Sequence, residues 1–203
     1  MPPDEQVLDY FDIFFREIHP YVAVVHRSYL YWQWENARSS ISPLLLESLF
    51  AVASRYSSNP AQGAQWLALA NSEFVFFFFF CHRLYVAGIY LSFAGHESSF
   101  MDVPRLSTIQ ALLLLLKARE STPKKGYYYR SWQTIKTMVS MAKDLDVHEH
   151  YGIHVDGKHC GLDPIECLMQ TRVWQTLLVV ELMVGAPQGK SPCPCDTQCL
   201  SAI

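Results

Sequence analysis

Charge is scarce in this sequence. Of its 203 residues, 17% are Asp, Glu, Lys or Arg, against about 25% in an ordinary soluble domain. The formal net charge is −3, which excludes a basic arm for reading DNA within these residues. Cysteine is absent from residues 1–80, so no paired Cys-x-x-Cys spacing can build a metal cluster there. No Gly-x-Gly-x-x-Gly, P-loop or nucleophile elbow occurs, which leaves dinucleotide, nucleotide and hydrolase chemistry without a sequence signature. Neither an alternation of strand and helix patterns nor an internal repeat is visible, so a parallel sheet and a solenoid are both excluded. The opening Met1-Pro-Pro-Asp-Glu is acidic with no apolar run behind it. That is not a secretory leader, and Cys81, Cys160, Cys167, Cys193, Cys195 and Cys199 are expected to be reduced, intracellular thiols.

Apolar and aromatic residues are plentiful. Half the chain is hydrophobic and 14% is aromatic, enough for one domain with a real core. The central stretch, Asp102 to His148, reads as two helices around a short polar turn. Leu106, Ile109, Leu112, Leu113 and Leu116 fall at helical spacing after Pro104, which suits a first turn. Leu112 to Leu116 is apolar on every face, so this helix should be central. Thr122 to Gly126 breaks it. The second helix places Trp132, Ile135, Met138, Val139, Ala142 and Leu145 on one face, with Gln133, Lys136, Lys143 and Asp144 opposite.

The flanks are helical too. Leu8, Phe11, Phe14, Phe15 and Ile18 predict an amphipathic helix stopped near His19-Pro20. Val22 to Val25 is an apolar link, and Tyr29, Leu30, Trp32 and Trp34 a short aromatic helix. Ser42-Pro43 reads as an N-cap with an N1 proline, leading a helix from Leu44 to Tyr56. A loop at Ser57 to Gly63 precedes a helix from Ala64 to Phe74. Tyr151 to Gly161 reads as a Gly- and His-rich loop. Asp163-Pro164 starts a last helix, Ile165 to Met183, ending at Gly185-Ala186-Pro187. The expected fold class is all-α, an irregular multi-helix bundle.

Two pieces depart from this plan. Val75 to Gly95, VFFFFFCHRLYVAGIYLSFAG, has no helical period. One reading is a membrane span over Val75 to Phe93. His82 and Arg83 oppose it, a central Arg costing about 2.5–3.5 kcal/mol, and the run is barely long enough. A buried core helix is a second reading. The preferred reading is a translated intron. A Phe run implies a T-rich stretch, Val can encode a 5′ GT and Ala-Gly can end on AG, with the interrupted helix resuming at His96. The tail from 191 to 203, containing Cys193, Cys195 and Cys199, is compositionally atypical and reads as out-of-frame or intron sequence. The domain is therefore expected over 1–190, interrupted at 75–95 and truncated at both ends.

Candidate sites are few. His148, His150, His154, His159 and Cys160 form a metal-like cluster. His150 and His154 are four apart, but Gly152 argues for a loop, so no four-ligand set is expected to converge and no metal is assigned. No catalytic constellation appears. Glu120, Asp144 and Glu166 read as helix-face or helix-end acids, and His26 as a core or capping residue. Arg172 and Glu181 lie on an otherwise apolar helix, Val173, Trp174, Leu177, Leu178, Val180, Leu182. A lone buried charge is unfavourable, so each should find an opposite charge or carbonyls. They are assigned to a structural polar network, the alternative being a small-molecule sensor.

Taken in order, several blocks resemble the fungal-specific transcription factor domain, the middle homology region of zinc-cluster regulators of the xylanolytic-activator type. These are Tyr10-Phe11 with Phe15, His19-Pro20 and Val24-Val25-His26; Ser42-Pro43-Leu44-Leu45-Leu46; and Ser107-Thr108-Ile109-Gln110-Ala111-Leu112-Leu113-Leu114. Trp132 with Met141 to His148 follows, and then Glu166, Arg172-Val173-Trp174 and Gly185-Ala186-Pro187. Thr171 and Gln175 stand where the pattern has a further basic residue and a second Trp. Glu181 replaces its Asp and Ala186 its Arg. The resemblance makes His148 a helix-end residue. It implies a nuclear regulatory domain without enzymatic activity or a cofactor of its own. DNA and zinc would be bound by a six-cysteine cluster missing here, and co-regulators or a metabolite effector would be further partners. The rival classes are an all-α enzyme or small-ligand binder, and a small membrane protein built on 75–93.

Overall fold

The computed structural model describes residues 2–57, 59–70, 103–120 and 126–190. Eight α-helices and no strands occur among them. They are α1 (Asp4–Ile13), α2 (Arg27–Asn36), α3 (Pro43–Ala53), α4 (61–70), α5 (Leu106–Glu120), α6 (Tyr127–Asp144), α7 (Val147–Val155) and α8 (Pro164–Gly185). The expected departures at 75–95 and 191–203 lie outside the described residues, as does the expected break at 122–126 except for Gly126, which precedes α6 with φ at 81°.

The centre is α3 packed along α5. In α3, Leu44, Leu45, Leu46, Leu49, Phe50, Val52 and Ala53 are all buried. In α5, Ile109 and every residue from Ala111 to Leu116 are buried. A helix apolar on all faces must be wrapped on all faces. The first half of the chain covers one side, and α6 and α8 cover the other, with α7 packed on those two.

Local chemistry sets most boundaries. Asp163 caps α8, its carboxylate accepting from Ile165 N–H at 2.9 Å, with Pro164 in the first turn. His26 caps α2, Nδ1 accepting from Tyr29 N–H at 3.2 Å. Ser42 occupies the N-cap position of α3 but its hydroxyl makes no cap bond. Pro104 precedes α5 rather than sitting in its first turn. After Ile13 the backbone loosens into a π-helical turn, Phe14–Ile18. That extra residue per turn buries Phe14 and Phe15 together, while Leu8 stays exposed and Val7 and Tyr10 face the core instead,. The helix α4 begins at 61, inside the expected loop, and Tyr10 and Gln6 both donate to Gln62 Oε1, at 2.6 and 2.8 Å. No helix among the described residues is long and apolar enough to cross a membrane.

The expected loop at Tyr151 to Gly161 is half wrong. Val147–Val155 is helix α7. Gly152 lowers helix propensity by about 1 kcal/mol relative to Ala, but Val147, His150 and Tyr151 are buried, and tertiary burial outweighs the local preference.

Candidate functional site

Two polar clusters lie on the half of the molecule built from α6, α7 and α8. The first is the seam between α6 and α8. Glu181 is fully buried, and its Oε1 accepts from Lys136 Nζ at 2.5 Å, across 45 residues of sequence. Lys136 also sits over the Trp132 ring at 4.4 Å, and Lys190 approaches the same ring at 4.7 Å. Trp132 in turn needs Gly185, since a Cβ there would lie 2.8 Å from Trp132 Cζ3 and 3.2 Å from the Lys190 carbonyl. The Gly-Ala-Pro motif thus marks a close approach of α8 to a buried indole.

Arg172 and Glu181 do not form one network. They are nine residues apart on α8, which at 1.5 Å and 100° per residue puts them about 13 Å apart on opposite faces. Glu181 faces α6. Arg172 is half-buried, and its charge acts on His19 in the first half of the chain. His19 Nε2 bonds the Val25 carbonyl at 2.9 Å, and its ring packs against those of Phe14 and Phe15. Burial holds its pKa below the ordinary 6.5, helped by the positive charges of Arg172, His26 and Arg27 and opposed by the Val25 bond.

Gln110 makes another long-range anchor. Its buried side-chain amide donates to the Val24 carbonyl at 2.6 Å, tying the central helix to the apolar link. On the surface, Asp12, Arg27, Ser28, Tyr31, Trp32 and Glu35 line an open cleft of about 470 Å³. Tyr31 donates to Asp12 at 2.6 Å there, and burial and that carboxylate push its pKa up to about 12.

The second cluster overturns an expectation. His150, His154, Cys160 and Cys167 each bring one ligand atom into a group whose members all lie within 4.8 Å of one another. The two imidazoles project from one face of α7, ring centroids 4.8 Å apart. Cys160 comes from the α7–α8 connection and Cys167 from the first turns of α8. Cys167 Sγ lies 3.2 Å from His154 Nε2. His150 lies against the Thr171 hydroxyl at 3.5 Å, and its pKa is lowered by burial and by His154. Burial and the neighbouring Cys160 raise that of the Cys167 thiol. His159 stays outside, its Nδ1 accepting from Gly161 N–H at 2.9 Å. His148 also stays outside, its ring 6.0 Å from Trp174. Sequence reasoning missed Cys167 because it took 151–161 as a loop and so had no face to set opposite α8. The available signal was His-x-x-x-His followed by two cysteines within thirteen residues.

The fungal specific transcription factor domain family matches residues 11–183. No curated protein and no solved structure matches the chain.

Proposed function

This chain belongs to the fungal-specific transcription factor domain family, a non-enzymatic family, and on that premise we propose that it is the regulatory domain of a nuclear zinc-cluster regulator of transcription by RNA polymerase II. The observation that carries this reading is the family match over 11–183. Its motif residues also have physical roles: Gln110 anchors the central helix, Trp174 is buried in the core, and Gly185 admits Trp132. DNA contact, on this reading, belongs to a six-cysteine cluster outside the present sequence, since residues 1–80 hold no cysteine. The domain itself holds the activator in check and responds to co-regulators or a metabolite.

The test is to fuse the chain to a heterologous DNA-binding module and read a reporter in fungal cells. Expected is a change in transcription relative to the module alone, and no sequence-specific duplex binding by the unfused chain in a mobility-shift assay. A nuclear, soluble fusion that leaves the reporter unchanged under every carbon and nitrogen source would sink the regulatory reading.

The segment 75–95 is read as translated intron within a domain spanning 1–190, and 191–203 as an atypical tail. Transcript sequencing across Phe74 and His96 decides the first point, and uniform retention of the Val75 to Gly95 codons would remove it.

A further inference from the structure

The second cluster is the strongest feature of the molecule that the family assignment does not absorb. Tetrahedral zinc with Zn–S bonds of about 2.3 Å and Zn–N bonds of about 2.0–2.1 Å places its ligand atoms roughly 3.3–3.8 Å apart. The four donors already lie within 4.8 Å of one another, with one sulfur–nitrogen edge at 3.2 Å. Closing the longest edge requires a movement of about 1–1.5 Å, within the reach of side-chain rotation.

We propose that His150, His154, Cys160 and Cys167 form a Cys₂His₂ site for one structural zinc ion, clamping α7 and the α7–α8 connection onto the start of α8. The donor set suits that ion. Two neutral imidazoles and two thiolates are borderline-soft ligands, and the two thiolate charges neutralise a divalent cation. All four positions come from protein, so the site is closed and carries no open position for catalysis.

The backbone prepares the site. Asp146, with φ at 54°, and then α7 present both histidines on one face, because residues four apart are stacked on a helix. Gly157 and Gly161 take positive φ, at 71° and 75°, on either side of Cys160. Those left-handed turns fold the connection back and bring Cys160 to α8. Cys167 is held by the capped first turns of α8, its N–H donating to the Asp163 carbonyl at 2.8 Å. No carboxylate is among the four donors, although the charge of Glu166 acts on His150. A divalent cation bound there would take both sulfurs as thiolates, releasing their protons. The site shares no residue with the six-cysteine cluster that complete family members carry, and it does not depend on the regulatory reading above.

The experiment uses the full chain, purified under reducing conditions without chelator and then dialysed. Expected is about one zinc per chain by elemental analysis. Replacement by Co(II) should give the visible ligand-field bands of a tetrahedral ion with sulfur-to-cobalt charge-transfer bands in the near ultraviolet. Cys160 and Cys167 should resist alkylation until a chelator is added, when the thermal midpoint should also fall. The double variant His154→Gln with Cys167→Ser should lose the zinc, while the triple variant Cys193→Ser, Cys195→Ser, Cys199→Ser should keep it. Any of four results overturns the proposal: dialysed chain with only traces of zinc, an octahedral cobalt spectrum, zinc lost with the tail cysteines alone, or a Cys160–Cys167 disulfide in freshly lysed cells. Because the ligand variant can fail to fold, the cobalt spectrum and the alkylation pattern of the unaltered chain stand as independent readings.

Discussion

Lys136 on α6 reaches Glu181 on α8 through a 2.5 Å contact between its ammonium and a carboxylate with no exposed surface. The other carboxylate oxygen, Oε2, has no hydrogen-bond partner among the described residues. The pair is therefore unequal: Lys136 keeps 37% of its side-chain surface in contact with solvent and is further held over Trp132, while Glu181 depends on Lys136 for its compensation. Removing either partner has a different consequence, because only one of them is stranded.

Lys136→Met should destabilise the domain by about 3 kcal/mol, the lower end of what breaking a buried pair costs, since it leaves the Glu181 charge unpaired. The double variant Lys136→Met with Glu181→Leu should recover most of that loss. Urea denaturation of the singles and the double checks both signs. A double variant as unstable as Lys136→Met would show that the carboxylate is not the stranded group.

Gly185→Ala should cost about 1–3 kcal/mol, the range for overpacking a filled site, because its Cβ meets Trp132 at 2.8 Å. Gly152→Ala is the contrasting case. It lies in helix α7 with nothing within 4 Å of the new Cβ, so it should stabilise by about 0.5–1 kcal/mol. Thermal melts rank the two, and a shifted Trp emission should accompany Gly185→Ala alone.

Gln110→Leu removes the donor to the Val24 carbonyl. An unpaired buried carbonyl should lower stability by about 1–3 kcal/mol. The change should also raise hydrogen exchange in the 22–25 link more than in α6, since this bond and the His19 contact to Val25 hold the link. Uniform exchange across both would argue against an anchoring role.

The His19 pKa is lowered on folding, chiefly by burial. The unfolded chain therefore binds the proton more readily. Stability contributed by the neutral ring is present above the ordinary value of 6.5, and it declines as pH falls from there toward the depressed folded value. His19→Gln should flatten that part of the stability–pH curve, leaving the share contributed by other histidines. An unchanged slope between neutral pH and mildly acidic pH would remove His19 from the account.

Which segments are helical, and which of their faces are buried, was legible from periodicity and caps. The run of Leu112 to Leu116 announced a central helix, Asp163-Pro164 its capped start for α8, and Trp132, Ile135, Met138, Val139 and Ala142 a buried stripe that α6 does bury. Those signals are local: each depends on residues within one or two turns of each other. The family was legible for the same reason, its motifs being the caps, breakers and buried faces of single helices. Contacts between elements were not. Nothing within a few residues of Glu181 names Lys136, 45 positions away. Gly152 made α7 look like a loop until Val147 and Tyr151 were seen to be buried. Only then do His150 and His154 share a face, and only the backbone turns at Gly157 and Gly161 bring Cys160 to Cys167. The sequence determined the helices, because helix formation is decided by near neighbours and by the alternation of apolar and polar side chains. The tertiary structure decided the polar clusters, because they are made of residues whose meeting depends on how whole helices pack.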